Sequence, residues 1–398
     1  MTTAHRSTWR DFPGTVLRLG ARLFLLLALA GAGVGAAAVH AATPSPDCAE
    51  RLKPLVTAKM SELGVPGLLV SIDAPTLCRW TAALGVRDVT THRPMQGNEH
   101  MRIGSITKTF TGTVILQLVD EGWLGLDDPI SRHLPGVPNG DHITIRQLLN
   151  MTSGLYNYSD DLAFNASLDT DPQRVCTPDE LLAIGLAQPP YFPPGTAFHY
   201  SNTNSVLLGR LIEALTGHPL DQEFERRIFT PLNLHDTSLP ATAALPRPHP
   251  RGYMFGTNVG TVPPACDAAT VGRHDVTKAS PSWTWSAGAA VSTLQDLTVW
   301  ARALATGALL RPATQAERLK GVPVGPPPAP EYGLHITNFF GLIGHDGNLP
   351  GFSSFMAHDP ARDVTIVVLA NVYPDAHCGG PTDSIVMLII QELGLLGP

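Results

Sequence analysis

Ser105-Ile106-Thr107-Lys108 places a hydroxyl and an amine three positions apart, the spacing that sets two side chains on one face of a helix. A serine hydroxyl is a weak nucleophile until a base takes its proton. A lysine becomes such a base when removal from water lowers its pKa. If the helix opens at Ser105, the hydroxyl also meets the N–H groups and positive dipole end of the first turn. The same four residues also fit a helix N-cap serine followed by a solvated lysine. Lysine is scarce in this chain, occurring only as Lys53, Lys59, Lys108, Lys278 and Lys320.

Two further groups carry chemistry. Tyr200-Ser201-Asn202 follows the loop Pro193-Pro194-Gly195 and precedes helical text. A tyrosine hydroxyl relays or accepts a proton if cations lower its pKa. Asn202 has three readings: binding a substrate carbonyl, holding the lysine, or capping the helix. His345-Asp346-Gly347 lies between the strand-like segments Leu342–His345 and Phe352–His358. A cation at His345 would receive a carboxylate or steady the tyrosine, and Gly347 would admit a substrate backbone along the strand edge. His377-Cys378-Gly379 matches the same short pattern, but between prolines and glycines rather than on strand text.

The elements that must position these groups are readable in outline. Asp47–Leu63 has helical spacing and stops at Gly64; Gly67–Asp73 and Leu77–Val86 read as an antiparallel hairpin. Ile106–Glu121 is amphipathic, with Ile106, Phe110, Val114 and Leu118 on one spacing and Gly122 as the stop. Helical pieces then run through Thr144–Met151, Pro178–Ala187, Asn204–Leu215 and Leu220–Phe229, joined by Pro/Gly loops. Strand text returns at Ala287–Ser292, Tyr332–Phe340, Leu342–His345, Phe352–His358 and Val364–Leu369, and a helix closes the chain near Ser384–Leu393. Strands at both ends with helices between them predict an α+β fold. Residues 47–126 and 285–398 would form one discontinuous antiparallel-sheet domain flanked by helices, and 127–284 an inserted all-helical subdomain. A cleft between the two is the expected ligand site.

Composition narrows the function. The chain has 398 residues, 43% hydrophobic and only 15% charged, with net charge −7. Mature segments hold no Lys/Arg run, which argues against a nucleic-acid partner. Four arginines (Arg6, Arg10, Arg18, Arg22) precede a stretch, Leu23–Pro46, without any charged residue. Val39-His40-Ala41 before Ala42 fits cleavage after residue 41, so residues 1–41 read as a signal peptide. The rival reading is an uncleaved anchor over Leu23–Val39. Cleavage predicts a secreted or periplasmic protein with no stable membrane span. Export permits disulfides among Cys48, Cys78, Cys176, Cys266 and Cys378. The odd count leaves one unpaired or paired between chains, and Cys48 with Cys78 is the first pair to test. No Cys-x-x-Cys or His-Glu-x-x-His spacing supports a metal site.

Taken in order, the three motifs resemble those of the penicillin-recognising serine hydrolases, the family of D-alanyl-D-alanine carboxypeptidases, class C β-lactamases and related esterases and amidases. Met101–Phe110, Thr144–Leu155, Phe192–Gly217 and Gly344–Phe355 all read like that family, and the likeness runs from about residue 47 to the C-terminus. The resemblance implies Ser105 as the acylated nucleophile, with Lys108 and Tyr200 moving its proton. It further implies Asn202 orienting substrate, His345 and Gly347 lining the opposite wall, and the N–H groups of Ser105 and Asn348 as oxyanion donors. No cofactor is implied, and the partner is a small-molecule or peptide substrate. Class C β-lactamases usually carry lysine where this chain has His345, a weaker and pH-dependent cation. A D-alanyl-D-alanine carboxypeptidase-like hydrolase is therefore expected, ahead of an esterase or amidase, a β-lactamase, and a non-catalytic binding module.

Overall fold

The computed structural model describes residues 48–263 and 265–395. The expected signal peptide lies outside the described residues. Within them the fold is α+β, built on a nine-stranded antiparallel sheet. Its N-terminal strands are β1 (Gly67–Ala74), β2 (Cys78–Asp88) and β3 (Arg93–Pro94). Short strands β4 (Met101–Arg102), β5 (Tyr253–Phe255), β6 (Arg273–Asp275) and β7 (Val291–Ser292) lie apart from it. The sheet continues with β8 (Val322–Pro323), β9 (Glu331–Tyr332), β10 (Thr337–Phe339), β11 (Leu342–Leu349), β12 (Phe352–Asp359) and β13 (Val364–Ala370). The order is β3-β2-β1-β13-β12-β11-β10-β9-β8, so the hairpin β1–β2 joins the late strands through β13, with Leu68 opposite Ala370 and Asp73 opposite Thr365.

Both faces of the sheet centre are covered, which is why its strands read as apolar runs rather than alternations. On one face lie α1 (Cys48–Leu63) and, at the chain's end, α12 (Pro381–Glu392). Leu52, Val56, Met60 and Leu63 bury one stripe of α1 against Leu68, Val70, Ile72, Ile366 and Val368. The other face carries α2 (Thr107–Asp120) and α10 (Leu294–Thr306), which pack with Leu69, Val367 and Leu369. By contrast β2 alternates from Cys78 onward because its outer face meets solvent.

Between α2 and α10 run α3 (Ile145–Leu149), α4 (Leu162–Thr170), α5 (Pro178–Ala187), α6 (Asn202–Thr216), α7 (Leu220–Phe224), α8 (Thr230–Leu232) and α9 (Ala268–Val271); α11 (Pro312–Arg318) follows α10. The stretch expected to be wholly helical also holds a ribbon, β5 paired with β6. Its strands have three residues each, too few for any periodicity to show. The sequence reading also passed over α4, α10 and α11. Cys48 and Cys78 are bonded, tying α1 to β2, and Cys266 is bonded to Cys378. Cys176 is a buried thiol.

Candidate active site

The α-helix does not open at Ser105. Residues Gly104–Ile106 form a 3-10 turn, and α2 starts at Thr107. Ser105 is partly exposed between the buried Gly104 and Ile106, and its side chain caps nothing. Lys108 is 0% exposed, so the solvated-lysine reading does not hold. Its Nζ donates to Ser105 Oγ at 3.0 Å and to the carbonyl of Ala287 at 2.8 Å. Burial pushes its pKa well below the ordinary lysine value of 10.5, against an opposing pull from Asp346. An uncharged amine at hydrogen-bond distance from a serine hydroxyl can take its proton.

The segment supplying that carbonyl is fastened to α2 along its length. Thr111 Oγ1 donates to Ser286 O, and the Ala290 N–H donates to Thr107 Oγ1. On the far side His335, wholly buried, lies 3.0 Å from the Lys108 carbonyl through Nδ1. A carbonyl only accepts, so that ring nitrogen carries the proton. Neither Ala287 nor His335 was singled out from sequence, since a backbone carbonyl and a lone histidine leave no pattern.

Tyr200 stands just before α6, with its ring centroid 4.7 Å from Lys108 Nζ. Its hydroxyl is buried and makes no hydrogen bond of good geometry. Burial and Asp346 push the phenol pKa well above 10.0, outweighing the Ser105 hydroxyl, which works to lower it. This reverses the expected direction: no cation lowers Tyr200. The phenol therefore holds its proton at neutral pH and is suited to donating it.

Asn202 neither holds the lysine nor caps the helix. Its Nδ2 donates to Ser159 Oγ at 2.9 Å, its backbone N–H donates to Asn157 Oδ1, and the N-cap position belongs to Ser201. The Asn157–Ser159–Asn202 group locks the start of α6, and with it Tyr200, to the turn after Leu155.

His345 is buried, 1% exposed. Its Nδ1 meets the Asp346 carbonyl, so the proton sits there and Nε2 accepts from the Tyr332 hydroxyl at 3.0 Å. Burial, aided by Lys108, lowers its pKa, although Asp346 pulls the other way. The expected cation is thus a neutral ring with both nitrogens occupied, facing Tyr332 and Tyr200 rather than an open cleft. Tyr332 is a site residue that sequence reasoning missed.

Gly347 and Asn348 close the arrangement. A Cβ on Gly347 would fall 2.0 Å from the Ile103 carbonyl and 2.5 Å from Ser354 Oγ; one on Gly104 would fall 2.6 Å from Asn348 N. Gly104 also holds φ +50, the left-handed region that favours glycine. Two glycines therefore let β11 press against the turn bearing Ser105, bringing the Asn348 N–H beside it. β11 pairs with β12 from Ile343 to Leu349 but with β10 only from Leu342 to Gly344, so no described strand covers its second edge from His345 onward.

A serine served by a buried lysine, beside the unpaired half of a strand in an antiparallel sheet, marks the hydrolases of the serine β-lactamase and penicillin-binding superfamily. The chain belongs to the beta-lactamase family, whose model matches residues 52–383. Among solved structures it is similar to a D-stereospecific amidohydrolase from Streptomyces sp., with TM-score 0.74, 34% identity, and coverage of 86% of this chain and 98% of that one. It is similar also to the D-amino acid amidase from Ochrobactrum anthropi SV3, with TM-score 0.73, 27% identity, and coverage of 87% and 99%. Protein flp of Staphylococcus aureus (strain COL) is 27% identical over 343 residues, 82% of this chain; the match spans only 64% of that relative's length.

Proposed function

We propose that this protein is an exported serine amidohydrolase that works through an acyl-enzyme on Ser105, with small amides or peptides as substrates. The observation that carries this reading is the 3.0 Å contact from the buried Lys108 amine to Ser105 Oγ. Lys108 takes the Ser105 proton as Oγ attacks the substrate carbonyl. The N–H groups of Ser105 and Asn348 receive the oxyanion, each such donor being worth about 3–4 kcal/mol to the transition state. Tyr200, holding its proton, delivers it to the leaving nitrogen and recovers one from Lys108. A water then attacks the same carbonyl while Lys108 takes its proton; the ester bond to Ser105 breaks, Oγ recovers that proton from Lys108, and the acid leaves.

Two versions of the substrate compete. A D-alanyl-D-alanine carboxypeptidase requires recognition of a terminal carboxylate, for which the neutral His345 is poorly equipped. An amidase does not, and two similar solved structures bear amidohydrolase and amidase names. The amidase version is therefore favoured. Release of ammonia from D-amino acid amides, set against release of D-alanine from acyl-D-alanyl-D-alanine, tests the choice. D-alanine release alone would restore the carboxypeptidase. The leader expected over residues 1–41 supports a secreted or periplasmic location.

A further inference from the structure

Asp346 lies between the two residues that line the site wall, His345 and Gly347, on the stretch of β11 whose second edge no described strand covers. Its side chain is 35% exposed, and Oδ1 lies 3.5 Å from His345 Nδ1. Its charge pulls on Lys108, Tyr200, Tyr332 and His345 alike. No arginine acts on any of those four, and burial disfavours the charged forms of Lys108 and His345. A second carboxyl adjoins this wall. A Cβ placed on Gly380 would meet Asp383 Oδ2 at 2.6 Å and Asn348 Nδ2 at 3.1 Å, so Asp383 and the Asn348 amide flank one glycine. Burial and the Asp346 charge push the Asp383 pKa well above the ordinary carboxylate value, which favours its protonated form and leaves Asp346 as the charge on this wall.

One part-exposed carboxylate, not offset by a neighbouring cation, discriminates between substrates by charge. We propose that Asp346 is a specificity residue that selects acyl donors bearing an ammonium group and rejects those ending in a carboxylate. Amino acid amides with a free α-amine are then the favoured class. Asp346 takes no part in bond making. This inference rests on the acyl-enzyme reading above.

The test uses the purified protein and three probes: D-alaninamide, N-acetyl-D-alaninamide and N-acetyl-D-alanyl-D-alanine. Wild type is expected to favour the first over the second in kcat/KM by about tenfold or more, the scale of one close charge pair, and to turn over the third least. Asp346→Asn is expected to shrink both preferences by about tenfold, and Asp346→Ser serves if that variant does not fold. Raising ionic strength is expected to shrink the wild-type preference without any substitution. The proposal is overturned if wild type treats the three probes alike, if it prefers the carboxylate, or if the ratios survive loss of Asp346. Failure of the underlying acyl-enzyme reading looks different: no probe is turned over and no adduct forms on Ser105.

Discussion

Lys108 Nζ lies 3.0 Å from Ser105 Oγ while its other bond goes to the Ala287 carbonyl, 179 residues along the chain. The helix alone sets the spacing of serine and lysine. Tertiary packing removes the water and so disfavours the charge. A base is made from a residue that on the surface would be a permanent cation.

That relationship fixes the pH dependence. The reactive form of Lys108 is unprotonated, so kcat/KM should rise with pH through a single step centred well below 10.5 and then level off. Stability follows the same group. Between the lowered folded pKa and 10.5 the unfolded chain binds a proton that the folded chain does not, so stability rises with pH across that window. The slope is up to about 1.4 kcal/mol per pH unit. Lys108→Met should abolish turnover and flatten that part of the profile of Tm against pH.

Tyr200→Phe removes a phenol that burial keeps protonated. Loss of a positioned proton donor is expected to lower kcat about 10²–10⁴-fold, with little change in Tm because the hydroxyl has no hydrogen bond of good geometry to lose. Steady-state kinetics with an amide and with an activated ester separate the steps. The ester, whose leaving group needs no proton, should suffer less.

Gly347→Ala would set a methyl 2.0 Å from the Ile103 carbonyl. The strand must then move off the Ser105 turn, carrying the Asn348 N–H with it. A kcat loss of about 10²–10³ is expected, equal to one missing oxyanion donor, with near-native circular dichroism. Unchanged kcat would show that Asn348 does not serve the oxyanion.

The two disulfides close loops of 30 and 112 residues. In the chain-entropy model these are worth about 3.6 and about 4.8 kcal/mol, so reduction should lower Tm, and Cys266→Ala/Cys378→Ala should cost more than Cys48→Ala/Cys78→Ala. Cys176 is buried with its thiol pKa raised by burial. Thiol titration of the oxidised protein should therefore detect nothing in the native state and one equivalent after unfolding.

Much of this was legible from local pattern. The hairpin β1–β2, helix α2 and strands β11 to β13 follow from apolar runs and glycine stops within a few residues of their observed ends. Helix α10 carries its own signals: Thr293 caps it through the Asp296 N–H, and Leu294, Leu297, Trp300, Ala301 and Leu304 form the buried stripe. Weak punctuation ahead of it, in the Ser280–Gly288 loop, hid a readable element. Ser105, Lys108, Tyr200 and His345 were named from sequence and converge in space. Their charge states were not legible. Whether Lys108 and His345 are cations depends on burial contributed by Ala287, Tyr332 and the sheet, residues distant in sequence whose types carry no motif. Gly347 was read as room for a substrate, whereas its bare face is filled by the Ile103 carbonyl.

The central claim is that Ser105 carries the acyl group because Lys108 takes its proton. Intact-protein mass after brief exposure to a slowly hydrolysed acylating ligand, such as a penicillin or an activated D-aminoacyl ester, tests it directly. The account predicts one adduct per chain, mapped by peptide mass to Ser105, absent in Ser105→Ala and formed at least about 10³-fold more slowly in Lys108→Ala. An adduct on another residue, or one that forms as fast without Lys108, would contradict it.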